Sequence, residues 1–139
     1  MLNRENAPVV LVVDDECFAR LFAVQILLDA GFMVLEARDA AEAVEMLHEN
    51  SDVQVLITDI TMPGALDGWD VVAEARRLQP ALRVIVTSGA ADPGEGLRVP
   101  VDSFVAKPFT AGAFIDALAG VVPVLACPRI PSMTMLARA

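Results

Sequence analysis

Three short runs of almost unbroken aliphatic residues constrain this chain more than any other feature: "VVLVV" at Val9 to Val13, "VQVLIT" at Val53 to Thr58 and "VIVT" at Val84 to Thr87. A strand with one wet face alternates apolar and polar residues, whereas a strand covered on both faces reads as a continuous apolar run. Such strands belong in a parallel sheet with helices packed on each side. Two weaker runs, Met33 to Leu35 and Ser103 to Ala106, complete a set of five.

Helical periods lie between the strands. Phe18, Leu21, Val24 and Leu28 predict one apolar stripe, closed by Gly31, and Ala40, Val44 and Leu47 a second, opened by Asp39 with Glu42 three residues on as a capping box. Val71, Ala75 and Leu78 predict a third before Pro80, and Phe114, Leu118 and Val121 a fourth behind the N-cap residue Thr110. Between Ser88 and Ser103 the segment carries Pro93, Gly94, Gly96 and Pro100, so a loop is expected there in place of a full helix. Right-handed crossovers then give an open α/β sheet, doubly wound, with helices on both faces.

A length of 139 residues fits one domain, and 55% hydrophobic against 21% charged residues is ample for a core. The expected domain runs from 8 to 121, with 1–7 a short extension and 122–139 a tail, either unstructured or a docking strip, holding three prolines and no acidic residue. A formal net charge of -9 repels polyphosphates and anionic headgroups, which argues against nucleic acid and membrane partners. Cys17 and Cys127 are too few and too far apart for a disulfide framework, and no apolar stretch is long enough to span a bilayer. The expected location is the cytoplasm.

In an open parallel sheet, ligands bind outside the carboxyl ends of the strands. The first strand stops at Asp14 and Asp15, the third at Asp59, the fourth at Thr87 and Ser88, and the fifth at Lys107. Each has an ordinary explanation alone, as a helix cap or a turn residue. Their joint placement at one edge does not. Lys107 is also the only lysine beside nine arginines, and a compact ammonium suits a point contact to an anion.

Two carboxylates about 5 Å apart repel by roughly 3 kcal/mol at an effective dielectric near 20, so such a cluster needs a cation. Oxygen ligands without a supporting histidine or thiol pair suit a hard ion, and Mg²⁺ is the natural choice. His48 sits alone on a helix and reads as an exposed residue. A hard divalent ion beside Asp59, with Lys107 opposite and a hydroxyl nearby, is equipped to hold a phosphoryl group on that aspartate.

The motifs "LVVDDE", "LITDITMPGALDG", "VIVTSG" and "FVAKPF", in this order and spacing, resemble the receiver domain of two-component response regulators over about residues 8 to 121. The resemblance implies a flavodoxin-like five-stranded sheet of order 2-1-3-4-5, with the fourth helix of the family shortened or replaced by a loop. It implies that Asp59 is the phosphoacceptor, that Asp14, Asp15, Asp59 and the main-chain carbonyl of Thr61 hold Mg²⁺, and that Lys107 bridges to the phosphoryl group. It further implies that Ser88 supplies the switching hydroxyl, that Phe104 stands at the aromatic switch position, and that the bond before Pro108 is cis. The implied donor is a sensor histidine kinase or a histidine phosphotransfer protein, and the implied output is a phosphorylation-dependent contact with an unknown protein target, with a homodimer an open option. On this resemblance the protein is not an enzyme beyond its own phosphoryl uptake and hydrolysis. The competing class, a Mg²⁺-dependent phosphatase of small molecules, would want an insertion to build a substrate lid, and none is visible.

Overall fold

A computed structural model describes residues 7–89 and 100–122. Five strands, β1 (Val9–Val13), β2 (Met33–Ala37), β3 (Val53–Asp59), β4 (Arg83–Ser88) and β5 (Ser103–Ala106), alternate with helices α1 (Cys17–Ala30), α2 (Ala40–Glu49), α3 (Gly68–Leu78) and α4 (Ala111–Val121). All neighbours pair in parallel, in the order β2-β1-β3-β4-β5. The flavodoxin-like order is therefore observed. The expected replacement of a helix between β4 and β5 concerns residues 90–99, outside the described residues, as does the tail from 123 onward.

The continuous apolar runs reflect two cores. Successive side chains of a strand point to opposite faces, so Val10, Val12, Val55, Ile57 and Ile85 pack with α1 and α4, while Leu11, Val13, Leu56, Val84 and Val86 pack with α2 and α3. β2 lies at an edge and has a mixed burial pattern, which is why it was the weakest run to read. It and β3 extend beyond the expected ends. Asp59 still pairs with Thr87, and Ile60 donates its N–H to the Thr87 carbonyl, so the ladder carries the candidate acceptor at its last position.

Caps explain where the helices start and stop. Asp39 accepts from the Glu42 amide at 2.8 Å, and the Glu42 carboxylate reaches back to the Arg38 amide at 3.1 Å. Thr110 accepts from the Ala113 amide at 3.1 Å. Gly31 takes the left-handed conformation, φ 98, that closes α1. The capping box of α3, Asp67 with Asp70, escaped the sequence reading.

Of the expected stripe on α1 only Val24 packs, half-buried, against the core. Ala23, Ile26, Leu27 and Ala30 are the buried positions, whereas Phe18, Leu21 and Leu28 face outward. α1 is apolar on nearly every side, so its period carries little information about which face is inward. Leu78, placed in the α3 stripe, is likewise exposed, and Trp69 and Val72 are buried instead.

Candidate functional site

β1 delivers Asp14 to the carboxyl edge of the sheet, where its amide still bonds to the Ala37 carbonyl at 3.2 Å. The Asp14 carboxylate accepts from the Glu16 amide at 2.9 Å, and Arg20 donates to the Asp14 carbonyl at 2.8 Å while pairing with Glu36 at 3.2 Å. Asp14 thus shapes the turn into α1, but the N-cap itself is Glu16, whose side chain makes no capping bond. Asp14 is buried and Asp15 exposed.

β3 delivers Asp59, also buried. Its Oδ1 accepts from the Thr61 amide at 3.3 Å and its Oδ2 from Lys107 Nζ at 3.1 Å. Lys107 Nζ is 2.7 Å from Asp14 Oδ2 and 3.9 Å from Glu16 Oε2. One ammonium therefore bridges two buried carboxylates. The Lys107 amide donates to the Ser88 carbonyl at 2.8 Å, tying the start of this loop to β4, and the following bond to Pro108 is cis.

One carboxylate oxygen from each of Asp14, Asp15 and Asp59 lies within 4.8 Å of the others. Burial pushes the Asp59 carboxyl above the ordinary aspartate value, and the charge of Asp14 adds to the push; Lys107 and the Thr61 amide act against it. Burial also works against the charge on Lys107, yet Asp14 and Asp59 outweigh it and hold its pKa above that of an ordinary lysine. One ammonium thus faces two buried carboxyl groups and the exposed Asp15, so acidic groups outnumber basic ones at the site.

The site floors a cleft of about 840 Å³, lined by Asp59, Thr61, Ser88 and Lys107 and walled by Phe18, Phe22, Pro108 and Phe109. Ser88 is buried at the last position of β4. Phe104 does not line this cleft; it packs half-buried with Val101 against the α2/α3 core. His48 is an exposed α2 residue 2.7 Å from Glu74.

Sequence reasoning missed three contributors. Gly68 begins α3 against the backbone of β3: its amide bonds to the Ile60 carbonyl at 2.8 Å, and a Cβ there would stand 2.0 Å from the Asp59 carbonyl oxygen. Only a glycine lets helix and strand meet so closely behind Asp59. Glu16 and Arg20, to which the sequence assigns no role, frame the acidic turn. The Asp67–Gly68 pair was a visible signal, but a glycine at a turn and a glycine at a close approach look alike in sequence.

A family model described as the response regulator receiver domain matches residues 10–119. The chain belongs to the response regulator receiver domain family. Among curated relatives of this receiver are the chemotaxis protein CheY of Bacillus subtilis, 32% identical and covering 78% of this chain and 92% of that one. The sensor kinase CckA of Brucella abortus is 33% identical over 73% of this chain, which spans only 11% of that protein. Solved structures similar to this receiver include a response regulator receiver protein of Sinorhizobium medicae, 34% identical with a TM-score of 0.75, covering 83% of this chain and 94% of that one. Another is chemotaxis protein CheY4 of Vibrio cholerae, 26% identical with a TM-score of 0.76, covering 84% and 99%. Receivers are signalling domains, and among the described residues no helix is long and apolar enough to cross a membrane.

Proposed function

We propose that this receiver accepts a phosphoryl group on Asp59 from a phosphohistidine donor and signals through protein contacts that depend on it. The observation that carries this reading is the Lys107 ammonium held between Asp14 and Asp59, with Asp15 completing a cluster of carboxylates. An Asp59 carboxylate oxygen attacks phosphorus, the P–N bond to the donor imidazole breaks, and the imidazole leaves with the bonding pair and takes a proton. In the hydrolysis that follows, water attacks phosphorus, the bond from phosphorus to the Asp59 oxygen breaks, inorganic phosphate departs and the carboxylate is restored.

The donor set suits Mg²⁺: three carboxylates gather their oxygens with no histidine or thiol among them. Asp14, Asp15, Asp59 and the Thr61 carbonyl are the groups proposed to hold it. When bound, Mg²⁺ would neutralise charge on the phosphoryl oxygens. The remaining work belongs to the chain. Burial and Asp14 keep Asp59 more basic than an ordinary aspartate, which favours it as a nucleophile. Lys107, already 3.1 Å from Asp59 Oδ2, is positioned to follow the new negative charge. Ser88 offers its hydroxyl from the end of β4.

On this reading the donor is a sensor histidine kinase or a histidine phosphotransfer protein, the setting is the cytoplasm, and residues 8–121 are the working unit. Catalysis extends to phosphoryl uptake and hydrolysis on the protein itself. Phe104 is assigned the aromatic switch on its position in β5, and its packing against the α2/α3 core gives that switch a route away from the site. Incubation with acetyl phosphate and Mg²⁺, read by intact mass, is expected to give one phosphoryl adduct that Asp59→Asn removes. An unchanged adduct in Asp59→Asn contradicts the assignment.

A further inference from the structure

Lys107 hangs from the end of a short edge strand. Among the described residues β5 pairs only with β4, and of its four side chains Val105 alone is buried. A strand with so little apolar alternation is weakly held in register by its own side chains, and a slip of one residue turns each of them to the other face. Such a slip would also carry Lys107 along the sheet by about 3.3 Å. That exceeds the 2.7 Å and 3.1 Å by which Nζ reaches Asp14 and Asp59. At the lysine end the strand is tied by the Lys107 amide on the Ser88 carbonyl; a second tie is needed where it begins.

Asp102 supplies it. Its amide donates to the Val84 carbonyl at 2.9 Å, and the Val84 amide donates to Asp102 Oδ2 at 2.7 Å. One residue thus satisfies both main-chain groups of Val84, and its carboxylate ends the ladder in place of a further strand carbonyl. The same Oδ2 accepts from Arg76 Nη2 at 3.1 Å, and Arg83 Nη1 is 3.6 Å from Oδ1. Arg76 also donates to the carbonyls of Pro80, Leu82 and Pro100, so its guanidinium clasps the end of α3 to the starts of β4 and β5.

α3 joins this clasp to the site. Its first residue, Gly68, lies against the Asp59 carbonyl, and Arg76 stands on the same helix about two turns on. The acceptor strand is therefore braced at the head of α3 and the lysine strand at its tail. We infer that Asp102, held by Arg76, is a positioning residue that fixes the register of β5 and so sets Lys107 between Asp14 and Asp59. Its part in the reaction rests on Asp59 being the acceptor; its part in the register does not. Asp102 touches neither acceptor nor phosphoryl group and acts only through where Lys107 stands.

Two variants test the pin. Asp102→Asn keeps an oxygen for the Val84 amide, whereas Asp102→Ala keeps none. In isotope-labelled protein, inter-strand proton contacts read the register directly: Asp102→Ala is expected to weaken the Val86–Phe104 and Ser88–Ala106 pairings and to speed hydrogen exchange of the Lys107 amide by roughly tenfold or more, with Asp102→Asn closer to the parent. Phosphoryl uptake from acetyl phosphate in Mg²⁺ is then followed by intact mass. Asp102→Ala should slow it roughly fivefold in the parent background and less than about twofold beside Lys107→Met, because a residue that works through the ammonium has little left to do once the ammonium is gone. Equal slowing in both backgrounds overturns the positioning role, and an unaltered register in Asp102→Ala overturns the inference entirely. A parent that takes up no phosphoryl group would refute the Asp59 reading instead, and the register measurement would still decide the pin.

Discussion

Gly68→Ala is expected to loosen the fold directly behind the candidate acceptor. An alanine Cβ at this position would lie 2.0 Å from the Asp59 carbonyl oxygen, 2.7 Å from Ile60 Cα and 2.9 Å from the Asp59 carbonyl carbon. All three are backbone atoms, so no rotamer change relieves the contact, and α3 must move by about 1.5 Å to reach normal separation. That movement stretches the 2.8 Å bond from the Gly68 amide to the Ile60 carbonyl. Overpacking costs about 1–3 kcal/mol and a weakened hydrogen bond about 1 kcal/mol; less a fraction of the roughly 1 kcal/mol by which alanine favours a helix over glycine, the net loss is about 3 kcal/mol. For a domain of this size that lowers Tm by roughly 10 °C. Trp69, the single tryptophan, is buried beside the substitution and reports urea unfolding by fluorescence. Gly120→Ala is the control: nothing lies within 4 Å of its Cβ, the site is exposed near the end of α4, and a gain of up to about 1 kcal/mol is expected. If Gly68→Ala unfolds within about 0.5 kcal/mol of the parent, the close approach is not a constraint and its proposed role in placing Asp59 is wrong.

Two further outcomes follow from the charges. Lys107→Met removes the ammonium between Asp14 and Asp59; two carboxylates with oxygens within 4.8 Å of each other repel by roughly 3.5 kcal/mol or more at an effective dielectric of 20. Urea unfolding should therefore show a loss of about 3–5 kcal/mol without divalent ions, and millimolar Mg²⁺ should stabilise this variant more than the parent. Equal stabilisation of both would mean that the carboxylates do not share one cation site. At the far surface, the hydrogen bond from Arg77, then that of His48, holds the Glu74 carboxyl down at about 2. A depressed folded value means that the carboxylate's stabilisation is complete above its ordinary value of 4.5 and drains away as pH falls from there toward about 2. The unfolding midpoints of the parent and Glu74→Gln should thus converge over that window, and a gap that stays constant would show that the charge on Glu74 contributes nothing.

The parallel sheet was legible because three strands are buried on both faces, which leaves a run such as Val9–Val13 no other sensible place. The site was legible for a related reason: strand ends in such a sheet share one edge, so Asp14, Asp59 and Lys107 could be brought together before any distance was known. α1 was not legible. Its inward and outward faces are both apolar, so Phe18 and Leu28 read as core when Ala23, Ile26, Leu27 and Ala30 are the residues that fit between the helix and the sheet. Phe104 was placed correctly in β5, but nothing in "FVAKPF" tells which face of an edge strand its ring takes. Gly68 and the bridging of two acids by one lysine depend on approach distances, and those are set by packing that no local pattern encodes.

Asp59 is the side chain expected to carry the phosphoryl group. Borohydride reduces an aspartyl phosphate to homoserine, so treating the protein after incubation with acetyl phosphate and Mg²⁺, followed by peptide mass analysis, marks the modified side chain. Homoserine at position 59, and at neither Asp14 nor Asp15, is the result expected. Homoserine at either of those two residues, with Asp59 intact, would contradict it.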